Sequence, residues 1–207
     1  MKIIFLDFDG VITIPSSRWR LKASLIRNVK RIVDETGARI VVSSSWRHGF
    51  PEPSAEATAA QIADRPKRCP RNAMLNWLRD NLYDCTPYFS DEKYSGQGRG
   101  GEIQTWLDRH PDTENYVIID DDGDMLDSQL YHFVQTNYED GLTGTEAVRA
   151  IKVLNRLFFE NKMALNFRLR YEHLKQCEGL PNVKDELYEK YCDLTKDYRR
   201  QYNGKDC

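Results

Sequence analysis

The residues best suited to chemistry are carboxylates at the ends of two apolar runs. Lys2-Ile3-Ile4-Phe5-Leu6 leads directly into Asp7-Phe8-Asp9-Gly10-Val11, and Tyr116-Val117-Ile118-Ile119 leads into Asp120-Asp121-Asp122-Gly123-Asp124. Short runs rich in β-branched and aromatic residues read as buried strands. In a parallel sheet the site is built at the carboxyl ends of the strands, so both acidic sets fall on one edge. Gly10 lets the chain turn after the first pair. Carboxylates brought together repel, and a cation or a shared proton relieves the repulsion. Three or more carboxylate oxygens make a hard-ligand set suited to Mg²⁺. A single pair would be weak grounds, because acids also cap turns. Two pairs about 110 residues apart in sequence, each after a strand, point to function.

The elements that must position these acids follow from the apolar pattern. Residues 2–7 form the first strand, and 11–20 a loop or flap carrying Arg18, Trp19 and Arg20. Leu25, Ile26, Val29, Ile32 and Val33 recur at helical spacing, which predicts a helix over 22–36 ended by Gly37. Residues 39–43 give a second strand, so the chain opens as a βαβ unit with a parallel pair. Beyond it we expect a loop at 48–71 with a short helix at 54–63, and a helix at 72–83. A weak strand at 86–90, a helix at 101–109, strands at 116–119 and 132–135, and a helix at 143–159 follow. Thr143 and Glu146 make a capping-box pattern for that last helix. Residues 159–207 are highly charged with helical periodicity, and are expected to be an appendage that packs on the core or binds a protein partner.

Composition narrows the class. A chain of 207 residues with 40% hydrophobic and 30% charged residues suits an ordinary globular protein of one domain plus an appendage. A net charge of −2 provides no general basic field for nucleic acid, although a local basic groove is compatible with it. Five cysteines with no CxxC pair argue against a zinc site and a disulfide framework and favour a reduced, cytoplasmic setting. No segment reads as a signal peptide or a membrane span. Gly96 to Gly101 contains GxGxxG, but the preceding strand is poor and the position is mid-chain, so a dinucleotide site is disfavoured. His48, His110, His132 and His173 show no ligand spacing.

The chain resembles the haloacid-dehalogenase-like (HAD) phosphohydrolases through four ordered signatures: Asp7-Phe8-Asp9-Gly10-Val11, a Ser within Ser43-Ser44-Ser45, Arg99 or Lys93 before a helix, and Asp120-Asp121. Ser43 to Arg47, Arg99 to Ile103, Val117 to Asp122 and Gly141-Leu142-Thr143 are similar to HAD domains of Swiss Army knife RNA-repair proteins and their relatives, and to polynucleotide-end phosphatases. The resemblance covers about residues 1–158 and implies a Rossmann-like α/β core: a parallel sheet flanked by helices, with a minimal cap. Residues 48–84 could form a partial lid over it. It further implies that Asp7 is the nucleophile and Asp9 the acid/base, with Mg²⁺ on Asp7, the main-chain carbonyl of Asp9, and Asp120 or Asp121. Ser44, preferred over its neighbours, and Arg99 would bind phosphate. Arg18 would serve as the flap arginine, and Arg47 would bind phosphate or pack on Trp46. The substrate implied is a phosphate ester, with a nucleotide or nucleic-acid end as the leading reading. A small-metabolite phosphatase and a non-catalytic interaction module are the alternatives.

Overall fold

The computed structural model describes residues 1–47, 53–64 and 73–155. The expectations for 48–52, 65–72 and 156–207, including His48, His173 and the C-terminal helices, lie outside the described residues. The chain divides into two compact units, Met1–Arg156 and Leu157–Cys207. All the described elements belong to the first.

Five strands form one all-parallel sheet: β1 (Lys2–Leu6), β2 (Arg39–Val42), β3 (Leu82–Cys85), β4 (Asn115–Asp120) and β5 (Phe133–Gln135), in the order β3-β2-β1-β4-β5. The helices are α1 (Ala23–Thr36), α2 (Ala55–Asp64), α3 (Ala73–Asp80), α4 (Gly98–Arg109) and α5 (Gly144–Asn155). This is the α/β, Rossmann-like architecture expected from the sequence.

The two faces of the sheet are distinguished by residue parity, as the pleat requires. Ile4, Leu6 and Phe8 join Val117 and Ile119 in the larger core, with residues of α1, α2, α3 and α5. Ile3 and Phe5 join Val41 and Ile118 in a smaller core with Ile103 and Trp106 of α4. Asp7 and Asp120 continue the second parity. The Asp7 amide donates to the Ile119 carbonyl at 3.0 Å, so the ladder runs on one residue past β1. Alternation therefore places both acids on the face that α4 covers.

Three boundaries differ from expectation. The third strand is Leu82–Cys85, not 86–90. Pro87 has no amide to donate to a ladder, and Thr86 makes the last bond, to the Val42 carbonyl at 2.9 Å. The helix expected to reach residue 83 ends at Asp80, because Leu82 opens that edge strand. Helix α4 starts at Gly98 rather than at residue 101. Its glycines serve packing: a Cβ on Gly100 would lie 2.6 Å from the Leu126 amide nitrogen, so the GxGxxG run closes a helix against a loop. The capping pattern is present, with the Thr143 amide donating to Glu146 at 3.1 Å and the Thr145 amide donating to the Thr143 hydroxyl at 3.2 Å.

The described part of the segment read as a partial lid is built into the core. Ile62 of α2 and Leu75 and Leu78 of α3 are buried in the larger cluster. Leu78→Ala should therefore cost about 2–5 kcal/mol of unfolding free energy, as for a core truncation. Urea denaturation measures it, and a loss under about 0.5 kcal/mol, normal for a surface position, would take this helix out of the core.

Candidate functional site

The acids of the first and fourth strands do converge. Asp7, Asp120 and Asp121 each offer a carboxylate oxygen, and these oxygens lie within 4.8 Å of one another. Adjacent parallel strands bring them together: Leu6 is in register with Ile119, so the residues that follow share one edge. Asp7 and Asp120 are buried and Asp121 half-buried. Gly10 makes the close approach possible. Its φ is +72°, and a Cβ there would stand 2.3 Å from the Asp121 carboxylate.

Burial is the main cause holding the Asp7 and Asp120 carboxyls well above the usual carboxylate range. For Asp7, Arg99 and a hydrogen bond from the Ser44 hydroxyl pull the other way, while Asp9 and Asp121 add repulsion. For Asp120 the Asp7 charge adds to the burial. Asp121 is raised too, chiefly by burial. An all-oxygen set with this excess of negative charge fits a hard divalent cation held by Asp7, Asp120 and Asp121.

Asp9 stands apart from that cluster. Its Oδ1 accepts from the Thr13 hydroxyl at 2.7 Å and its Oδ2 from Trp46 Nε1 at 3.0 Å. Trp46 is buried against Phe8, with ring centroids 5.4 Å apart. The carboxylate is thus fixed by the flap on one side and by the turn after β2 on the other. Any share of Asp9 in a cation site would fall to its main-chain carbonyl, as the resemblance implies.

Among the three serines, Ser44 is fully buried and bonds Asp7, whereas Ser45 is exposed and lines the cleft. Ser43 is buried as well, with its hydroxyl unpartnered among the described residues. Arg99 and Lys93 separate cleanly. Arg99 sits in the first turn of α4 with NH2 3.8 Å from Asp7, Nε 3.7 Å from Asp120 and NH1 3.2 Å from Glu102. Lys93 is 60% exposed and pairs with Asp108 at 2.7 Å, away from the acids.

Arg47 lines the cleft wall, but its side chain is buried and already occupied. It donates to the Ser44 carbonyl at 2.6 Å and the Pro87 carbonyl at 3.3 Å, and pairs with Glu102. Burial without full compensation lowers its pKa. It lines the cleft beside Glu102, and its Nε has no hydrogen-bond partner among the described residues. Arg18 is exposed on the flap and does not line the cleft, nor does Arg20. Asp124 accepts from the Arg99 amide at 2.9 Å and caps α4. Asp122 is exposed at the cleft rim, where its carboxylate accepts from the Gly123 amide at 2.9 Å. His110 stacks on Trp106 at 3.7 Å and His132 on Tyr116 at 3.7 Å, both outside the site. The cleft enclosed by these groups measures about 370 Å³.

Sequence reading missed Thr13, Trp46 and Glu102 as site residues. Their partners lie 4, 37 and 55 positions away in sequence, and the only signal was their proximity to the signatures.

Residues 3–147 match the family described as "HAD domain in Swiss Army Knife RNA repair proteins", and the chain belongs to that family. Membership suggests a phosphatase-type function and the use of a divalent metal. Searches of curated proteins and of solved structures give no significant match. No helix among the described residues is long and apolar enough to cross a membrane.

The raised carboxyls make a signed prediction. Their folded pKa values exceed the unfolded ones, so the folded protein binds more protons across that interval. The stability they contribute is present below the ordinary carboxylate range and is lost as pH rises through the raised values. The metal-free protein should therefore lose stability from about pH 5 to pH 8, by up to about 1.4 kcal/mol per pH unit for each of Asp7 and Asp120. Mg²⁺ should reverse the loss, and Asp121→Asn should flatten the slope and abolish the Mg²⁺ response. Thermal unfolding in EDTA against Mg²⁺ across this range reads both, and a Mg²⁺ response retained in Asp121→Asn would remove that residue from the cation set.

Proposed function

We propose that this chain is a Mg²⁺-dependent phosphomonoester hydrolase working through an aspartyl-phosphate. The observation that carries the reading is the pair of environments given to Asp7 and Asp9. One carboxylate lies among the acids beside Arg99, and the other is clamped by Thr13 and Trp46 in the same cleft. Two carboxylates in distinct settings suit two distinct roles.

In the first step an Asp7 oxygen bonds to phosphorus, the bond to the ester oxygen breaks, and Asp9 gives that oxygen a proton. In the second step Asp9 takes a proton from water. The resulting hydroxide attacks phosphorus, inorganic phosphate leaves, and Asp7 is regenerated. Arg99 and Ser44 stabilise charge on the non-bridging oxygens. The cation, when bound to Asp7, Asp120 and Asp121, neutralises charge between an anionic nucleophile and an anionic ester. The two bonds to Asp9 leave its carboxylate little rotational freedom, which supports a fixed direction of proton transfer.

For the substrate, the family's occurrence in RNA-repair proteins supports a phosphate on a nucleotide or nucleic-acid end. A cleft with no described lid segment along its wall is compatible with a bulky leaving group. The cytoplasm is the setting most consistent with five cysteines and no zinc spacing.

With Mg²⁺ the protein should hydrolyse an aryl phosphate and, more efficiently, a phosphorylated oligonucleotide. Asp7→Asn should be inactive, and Asp9→Asn should lose about 10²–10⁴-fold in kcat. Faster turnover of 5′-nucleotides or small phosphate esters than of oligonucleotides would favour the metabolite alternative. Absence of turnover with every phosphate ester, unchanged by Asp7→Asn, would leave the interaction-module reading.

A further inference from the structure

One carboxylate, Glu102, is shared by two arginines. It lies on α4 three residues after Arg99, and its Oε2 receives both Arg99 NH1 at 3.2 Å and Arg47 NH2. The side chain is only 17% exposed. Arg47 is anchored by the Ser44 and Pro87 carbonyls, and among the described residues Glu102 is its one acidic partner. A fixed chain of contacts therefore runs from the end of β2 through Arg47 and Glu102 to Arg99.

The distances show what this chain does to Arg99. Its contact with Glu102 is within hydrogen-bond range, whereas those with Asp7 and Asp120, at 3.8 and 3.7 Å, are beyond it. The Arg99 guanidinium is held on the Glu102 side of the cleft, leaning toward the acids without closing on them. Without Glu102, two buried acids would remain as its nearest counter-charges. The guanidinium would then fold inward and cover the Asp7 oxygen.

We propose that Glu102 is a positioning residue: braced by Arg47, it keeps Arg99 off the acidic cluster and presents it to the phosphoryl oxygens of the substrate. This rests on the phosphatase reading for its consequence in turnover, but its physical content is the binding of a phosphate dianion. By analogy with the outer partners of metal ligands, whose loss costs about 10–100-fold, its removal should weaken phosphate about tenfold or more. The Arg47–Glu102 pair also explains why an arginine beside the second signature is buried where a surface residue would be expected.

The test is a double-mutant cycle on the full chain, with inorganic phosphate titrated calorimetrically in the presence of Mg²⁺. Arg99→Ala and Glu102→Gln should each weaken phosphate about tenfold or more, and together no further than Arg99→Ala alone. Additive losses, unchanged affinity in Glu102→Gln, or no phosphate binding by the wild-type protein would overturn the proposal. Glu102→Gln leaves Arg47 with a buried unpaired charge and can lower stability. The combined Arg47→Met/Glu102→Gln variant removes that charge together with its partner. It should recover stability while phosphate binding stays weak, and recovery of both would make Glu102 purely structural. If the wild-type protein binds phosphate and the cycle holds, but no phosphate ester is turned over, the phosphatase reading fails and the positioning role stands.

Discussion

Repulsion among carboxylates gathered at one buried sheet edge is the constraint on which the rest of the site depends. Asp7, Asp120 and Asp121 are brought within 4.8 Å by the pairing of β1 with β4, and two of them are almost without solvent. Water would normally screen such charges, and here it is largely excluded. The neighbouring residues read as responses to that cost. Arg99 supplies positive charge from α4, Ser44 gives Asp7 a hydrogen bond, and the oxygens are left arranged for a hard cation.

The same constraint reaches outward. Arg99 among acids would collapse onto them unless another acid held it back, and Glu102 is placed to do so. Glu102 in turn is half-hidden and is matched by Arg47, which is buried and tied to main-chain carbonyls. A conflict at the strand ends is thus distributed over a second layer of charge. Asp9 adds to the repulsion at Asp7, and its own carboxylate is directed by neutral donors, Thr13 and Trp46, which bring no further charge.

Much of this frame was legible in the chain. The apolar runs before Asp7 and Asp120 marked the central strands, and the periodicity of 22–36 and the capping pattern at Thr143 marked two helices that the fold contains. The edge strand was harder to place. Leu82-Tyr83-Asp84-Cys85 is half-exposed and lacks a continuous apolar signal, while the last turn of the preceding helical pattern overlaps it. Within 48–84, the composition of the segment rich in Pro, Ala and charge did not show that Ile62 faces the core, where the structure buries it with Leu75 and Leu78.

Sequence by itself determined the fold class and the acidic set, because burial writes a periodic signal and strand order in a parallel sheet places strand ends on one edge. It also offered a few serines and four basic residues, Arg18, Arg47, Lys93 and Arg99, as candidates for a phosphate site. Only the tertiary structure decided where each of them lies. Ser44 is buried beside Asp7 while Ser45 lines the cleft, Arg99 faces the acids while Lys93 pairs with Asp108, and Arg47 lines the cleft while Arg18 is exposed on the flap. The reason is physical: which polar side chains meet depends on helix entry and loop packing, which carry no sequence period. The Arg47–Glu102 pair was silent for the same cause, since Arg47 follows β2 and Glu102 lies on α4, 55 positions further on.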